Sequence, residues 1–394
     1  MATDGAPSED FDLFDAVTLE DMRGRETAKW TYYPDDVLAA WVAEMDYPLA
    51  PVVRQGLHEA IDHGFTGYPP TVERTGLPAA LAGWLSRYAG FVVEPDRIRI
   101  VPDVLRGMAL AIETFSRPDS SVVILTPSYP PFFEVVRVVG RHIVEAPMII
   151  HEGGRWTPDL LAIDAALRAG AGTVLLCNPH NPLGRVFTPE ELTALAEVVE
   201  AHGARVVADE LHAPLVYPGA TYVPYASVST PAAGHSVTLI SASKGWNLPG
   251  LKCAQLLLTN AADVSVWDQL PFLKTSGASI LGMQANRAAF AEGDTWREQV
   301  VEYLDGNRRL LSALLTELLP LVRYTPPEAT YLAWLDCTAL GLDQPAEFFL
   351  QHARVAVSDG DSFGAPGRGF VRLNFATSRA LLTSIVQRMA SSLS

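Results

Sequence analysis

The chain has little cysteine, very little lysine, no excess of positive charge and no long apolar run. Its three cysteines, Cys177, Cys253 and Cys337, are far apart and odd in number. That excludes a disulfide framework and a zinc site built on cysteine pairs, and it fits a reducing, cytoplasmic compartment. No metal-ligating cluster is read from the remaining residues. Basic residues number 29 against 45 acidic ones, a net charge of −16 at pH 7. Nucleic acid and anionic membrane surfaces need a basic footprint, so neither is expected as a partner. The most apolar stretch, VVILTPSYPPFFEVVRVV, is interrupted by three prolines and by charges, so no segment reads as a membrane helix of about 20 apolar residues. The opening residues are acidic and polar, unlike a signal peptide, and residues 1 to about 12 read as a frayed tail.

What is present is a 394-residue chain of ordinary globular balance, 48% hydrophobic and 19% charged. Short β-branched runs recur through its middle: SVVILTP (121–127), GTVLLCNP (172–179), RVVADE (205–210), VTLISAS (237–243) and AQLLLTN (254–260). Between them lie helical patterns such as TPEELTALAEVVEAHG (188–203), with a Thr cap signal at one end and Gly at the other. From Pro51 to Tyr88 the pattern is also helical, broken by the loop GFTGYPPT (64–71). Apolar strands alternating with helices predict an α/β fold whose mostly parallel sheet is covered on both faces. Ligands then sit beyond the carboxyl ends of the strands, where this chain carries TPSYPP, NPHNPLG, DELHAP and SASKGWN. After Asp294 weaker strands (ATYLAWLD, ARVAVSDG, GFVRLNFA) mix with helices, which predicts a smaller α+β layer completed by the segment before Pro51.

Lysine occurs only at 29, 244, 252 and 274. Lys244 follows an apolar strand in a Ser/Gly loop, where a desolvated amine becomes a nucleophile at neutral pH; a solvated loop lysine is the plain alternative. Asp209 ends the apolar run VVAD, where burial is costly unless the carboxylate meets a cation; helix capping would explain it as well. Asn181 lies between two turn prolines, suited to aim an amide at the strand ends or simply to make a turn. Tyr129 could cover a planar ligand or pack in the core.

Together, and in this order, these features resemble the fold-type I pyridoxal phosphate (PLP) enzymes of the class I/II aminotransferase superfamily. NPxNPxG carries Asn181, Asp209 follows 28 residues later, Lys244 another 35 residues on in S-x-S-K, and Arg372 in RLNF 128 residues after that. More narrowly, WVAEMDYP (41–48), TGYPP (66–70), PSYPPF (127–132), CNPHNPLGRVF (177–187), ADELHAPL (208–215), SASKGWNLPGLK (241–252) and VRLNFA (371–376) resemble the cystathionine β-lyase/PatB-type C–S lyase branch.

The resemblance implies a large PLP-binding domain over residues 51–289 with a seven-stranded-type sheet. A small α+β domain would come from residues 1–50 and 290–394. It implies a homodimer with shared active sites. Lys244 is then the catalytic lysine that binds the cofactor covalently and moves the Cα proton. Asp209 pairs with the pyridine nitrogen, Asn181 bonds the phenolic oxygen with His212 nearby, and Tyr129 stacks on the ring. Ser241, the Val104 and Leu105 amides and Lys252 hold the phosphate, Tyr68 reaches the phosphate of the neighbouring subunit, and Arg372 clamps the substrate carboxylate. The activity implied is β-elimination from an S-substituted cysteine, giving thiol, ammonia and pyruvate. Transamination or another PLP reaction on a cysteine conjugate in specialised metabolism, and a catalytically silent PLP-fold regulator, are the alternatives. The chain departs from the branch's usual residues at Asp103, at Gly245-Trp246 after the lysine, and at Glu44. All of these are expected to sit around cofactor and substrate.

Overall fold

The computed structural model describes residues 12–394; residues 1–11, the bulk of the expected acidic tail, lie outside the described residues. Seven strands form the central sheet: β1 (Ile98–Val101), β2 (Val122–Thr126), β3 (Ile143–Pro147), β4 (Thr173–Cys177), β5 (Arg205–Asp209), β6 (Ser236–Ile240) and β7 (Ala254–Leu257). Their order is β1-β7-β6-β5-β4-β2-β3. Strands β2 to β6 pair in parallel, whereas β7 runs antiparallel to both β6 and β1. The sequence marks β2, β4, β5, β6 and β7. It hides β1, which carries Arg99 in its middle, and β3, an edge strand with an exposed Glu145.

The continuous apolar runs have a direct cause. Successive side chains of a strand face opposite ways, and here both ways lead into core. Val123, Leu125, Val174, Leu176, Val206 and Ala208 enter one apolar cluster, and their neighbours Val122, Ile124, Leu175, Val207, Val237 and Leu239 enter another. Along the chain the main helices are α1 (Pro51–Asp62), α2 (Leu77–Ala89), α3 (Val104–Phe115), α4 (Pro130–Val138), α5 (Leu160–Arg168), α6 (Pro189–Ala201), α7 (Ile280–Glu292), α8 (Asp294–Leu318) and α9 (Arg379–Ser391). Helices α5 and α6 cover the first face, α3 and α4 the second. Helix α6 starts where the sequence marks it, at a capping box in which Thr188 and Glu191 satisfy each other's backbone amides. Helix α3 lies close on the sheet because residue 107 is Gly: a Cβ there would come within 2.5 Å of Leu239. That approach sets the start of α3 beside the carboxyl ends of the strands.

A second, antiparallel sheet contains β8 (Arg323–Tyr324), β9 (Leu332–Asp336), β10 (Ser358–Asp359) and β11 (Phe370–Asn374), in the order β8-β9-β11-β10. Leu38–Ala39 of the N-terminal segment pairs in parallel with Val355–Ala356. The largest apolar cluster runs from Phe14 through Trp84, Trp246 and Phe290 to Leu373 and Met389, so early, middle and late segments share one core. Among the described residues no helix is long and apolar enough to cross a membrane.

A buried ion pair pins the N-terminal segment. Lys29 Nζ lies 2.9 Å from Asp46 Oδ2, with both side chains 1% exposed. Trp30 Nε1 donates to Asp46 Oδ1 at 2.8 Å, and Lys29 also donates to the Glu44 carbonyl at 3.1 Å. Removing one member strands the other's charge in the interior. Lys29→Met should therefore lower stability by about 3–5 kcal/mol, seen as a fall in the urea midpoint. A midpoint within error of wild type would show that Asp46 is better solvated than its burial indicates.

Candidate active site

The carboxyl ends of β2, β4, β5 and β6 meet around a cavity of about 220 Å³. Nine of the eleven site residues read from the sequence line it: Val104, Leu105, Tyr129, Asn181, Asp209, His212, Ser241, Lys244 and Lys252. A larger, open hollow of about 830 Å³ beside the N-terminal segment shares only Pro249 with this cavity and carries none of those nine. The titratable groups identify the smaller cavity as the site.

Asp209 is the last residue of β5 and is 5% exposed. Its Oδ1 accepts a 3.0 Å bond from the Leu211 amide. Burial pushes its pKa up to about 6, against the pull of that amide and of the Lys244 charge. Lys244 sits on the single helical turn Ala242–Gly245 that follows β6. Ser241 caps this turn: its Oγ accepts from the Ser243 amide at 3.1 Å and gives its proton to the Cys253 carbonyl at 2.8 Å. Asn286 Oδ1 accepts from the Ala242 amide. The Lys244 side chain partly faces the cavity, yet its amine is enclosed and donates 2.6 Å to the Ala43 carbonyl. Burial pulls its pKa down to about 8, helped by Arg372 and opposed by Asp209 and Glu44.

Asn181, 4% exposed, turns Oδ1 to Arg372 Nη1 at 3.0 Å, which leaves its amide N–H groups for another partner. Arg372, on β11, is also buried. Its Nη2 donates to the Trp41 carbonyl at 2.9 Å and to Ser358 Oγ at 3.1 Å, and burial pulls its pKa down to about 10. Arg372 thus stands one hydrogen bond behind the cavity wall. His212 is 3% exposed, with no hydrogen-bond partner at Nδ1; burial, then the Lys244 and Arg372 charges, keeps its imidazole neutral. Tyr129 is half-buried at the start of α4. At the opposite end Asp103 caps α3, accepting from the Arg106 amide at 2.8 Å, and ion-pairs with Lys252 at 3.1 Å. Tyr68 lies outside this cavity, fully exposed on the loop after α1.

The departures after the lysine are core residues, which corrects the expectation that they surround the cofactor. A Cβ at Gly245 would meet Pro214 Cβ at 2.6 Å, so Gly is what lets the lysine turn pack on the DELHAP loop. Trp246 is fully buried against Trp84 and Phe290, with Nε1 bonded to the Gly293 carbonyl. Asp103 does line the cavity, while Glu44 lines the larger hollow. Sequence reasoning missed the Ala43 carbonyl, Ser358 and Asn247. Asn247 brackets Met45, accepting from its amide at 2.9 Å and donating to its carbonyl at 2.7 Å. The signal lay in WVAEMDYP, whose contribution is largely backbone.

Residues 36–389 match the protein family described as aminotransferase class I and II. The cystathionine beta-lyase of Corynebacterium glutamicum is 40% identical over 377 residues, covering 95% of this chain and 98% of that protein. The cystathionine beta-lyase PatB of Bacillus subtilis is 32% identical over 384 residues, covering 95% and 98%. The crystal structure of the PLP-bound C-S lyase from Staphylococcus hominis superposes with a TM-score of 0.90 at 25% identity, covering 96% of this chain and 98% of that one.

The lowered lysine pKa is directly measurable. In cofactor-free protein treated with formaldehyde and cyanoborohydride, labelling of Lys244 should be half-maximal near pH 8, because only the neutral amine reacts. Peptide mass spectrometry across a pH series gives the midpoint. A midpoint at the ordinary lysine value of 10.5 would mean that water reaches the amine freely.

Proposed function

The chain belongs to the aminotransferase class I and II family, and from that membership we propose that it is a PLP-dependent C–S β-lyase. It cleaves an S-substituted cysteine, with one water, to a thiol, ammonia and pyruvate. The similarity over nearly full length to two proteins named cystathionine beta-lyase supports this reading.

The residues present fit the cofactor. The cavity offers an amine, a buried carboxylate with one amide partner, a neutral imidazole lacking a partner at Nδ1, a half-buried phenol ring and the start of a twelve-residue helix. An aromatic aldehyde with a basic ring nitrogen and a phosphate uses every one of them. When bound, PLP supplies an electron sink for the bond broken at the substrate Cα.

The chain's own groups do the rest. Lys244, with its pKa near 8, is partly neutral at physiological pH and takes the Cα proton. Asp209 holds a cationic ring N–H, and the new partner offsets the cost of burying its charge. Asn181 gives its N–H to the phenolic oxygen while its oxygen fixes Arg372. Arg372, already oriented by Trp41, Ser358 and Asn181, keeps its Nε–H and one Nη1–H for the substrate carboxylate. Tyr129 covers the ring. The Val104 and Leu105 amides, which no intrahelical carbonyl can satisfy, would hold the phosphate with Lys252, and Ser241 would join them by turning its O–H from the Cys253 carbonyl.

The observation that favours elimination over transamination is the number of carboxylate clamps. A transaminase of acidic amino acids needs a second cation for the distal carboxylate. Arg379, seven residues after Arg372, is held by Asp15 at 3.2 Å and lies over Tyr303, outside the cavity. Arg372 alone reaches a cavity-lining side chain with its guanidinium among these two. We further read the enzyme as a cytoplasmic homodimer in which exposed Tyr68 reaches the partner's phosphate site.

Incubation with a cysteine S-conjugate and no keto acid should release thiol, ammonia and pyruvate in equal amounts. Lys244→Ala should lose at least a thousandfold in turnover with an unchanged thermal midpoint. A strict requirement for a keto acid, with the amino group recovered on it, would make this an aminotransferase instead. Shared sites are tested by mixing the inactive Tyr68→Ala and Lys244→Ala proteins, since hybrid dimers carry one site with neither lesion. Activity should return on subunit exchange; its absence after exchange is verified by mass would place Tyr68 outside the site.

A further inference from the structure

The anion-binding end of the cavity carries its own anion. Asp103 is the N-cap of α3, so its carboxylate sits at the helix end that favours negative charge. Its two oxygens are divided: Oδ1 takes the Arg106 amide at 2.8 Å and Oδ2 takes Lys252 Nζ at 3.1 Å. Both Asp103 and Lys252 line the cavity beside Val104, Leu105 and Ser241. Lys252 is held there at a backbone cost. Its φ is +43°, in the left-handed region that favours glycine, and its carbonyl is tied to the Ser279 amide at 2.9 Å. Among the described residues Lys252 is the one cationic side chain lining this end, and it is already shared with a carboxylate.

From this geometry we propose that Asp103 is an affinity-lowering residue: it competes with the cofactor's phosphate for Lys252 and for the helix terminus, and so sets how readily the cofactor leaves. The proposal rests on the reading of this cavity as a PLP site. Its physics is Coulombic. A phosphate entering beside Asp103 meets a like charge within one helical turn, and Lys252, which would otherwise neutralise the phosphate, is half spent on the carboxylate. A carboxylate beside the phosphate also disfavours its dianion, which raises the phosphate's second ionisation.

Asp103→Asn separates charge from structure, because Asn caps a helix about as well as Asp. Purified holoenzyme and cofactor-free protein of wild type and Asp103→Asn are compared by PLP titration, followed by absorbance and by dissociation into excess phosphate buffer. The variant is expected to bind PLP at least tenfold more tightly, with the gain in slower release. Phosphorus NMR of the bound cofactor should show the phosphate titrating at lower pH in the variant than in wild type, a change that a purely structural role would not produce. Adding Lys252→Met to Asp103→Asn should remove most of the gain. If Asp103→Asn loses thermal stability, Asp103→Ser supplies the same cap without charge. Equal or weaker PLP binding in both charge-neutral variants, or an unmoved phosphorus titration, overturns the proposal. Wild-type protein that binds no PLP at all would instead overturn the functional reading on which it rests.

Discussion

Buried backbone that belongs to neither helix nor strand must find its hydrogen bonds among side chains, and residues 41–45 are such a stretch. Each of its five carbonyls is taken by a side chain from a distant part of the chain. Trp41 O accepts from Arg372 and Ser358, Val42 O from Asn374, Ala43 O from Lys244 and Tyr331, Glu44 O from Lys29 and Asn374, and Met45 O from Asn247. One short segment therefore positions both the amine of the central sheet's loop and the guanidinium of the second sheet. The Lys29–Asp46 pair fixes its far end. Displacing the strap would unsatisfy several groups at once, which makes the relative placement of Lys244 and Arg372 a cooperative property of the fold.

The cavity's electrostatics follow from what is packed around it. Asp209 ends β5 and Lys244 sits on the turn after β6, and burial desolvates both charges, so both pKa values move toward neutrality, to about 6 and about 8. The Asn181–Arg372 hydrogen bond joins the cavity wall to the second sheet, whose guanidinium charge also lowers the Lys244 pKa. His212, between two cationic side chains, has no reason to take a proton and remains available as a neutral hydrogen-bonding ring. A ligand bringing a positive ring nitrogen to Asp209 and a negative phosphate to the start of α3 meets opposite demands at opposite ends. At the second of those ends Lys252 already pairs with Asp103.

Much of the site was legible because it is built at strand ends. A parallel strand covered on both faces is mostly apolar, so polar residues at its carboxyl end or in the loop beyond it stand out. Asn181, Asp209 and Lys244 are such residues, and the right-order spacing of their loops allowed a family resemblance to be drawn. The short strands β1 and β3 escaped for the converse reason: Arg99 and Glu145 break the apolar pattern at positions where the sheet edge or a neighbouring loop tolerates charge. Gly245 and Trp246 were misread, since proximity in sequence to Lys244 says nothing of which way a turn directs its side chains. Here Trp246 points into the core against Trp84 and Phe290, and the missing side chain of Gly245 lets Pro214 pack close.

By itself the sequence determined the layer architecture, the strands of the sheet's interior and the polar loops that converge beyond them, because periodicity and turn chemistry are local properties of the chain. Tertiary structure alone decided that Arg372 stands behind Asn181, that Asp103 holds Lys252, and that the backbone of WVAEMDYP at residue 43 receives the lysine. Those are contacts across 191, 149 and 201 residues. Their partners are chosen by packing and by the need to satisfy buried polar groups, and no local pattern encodes that choice.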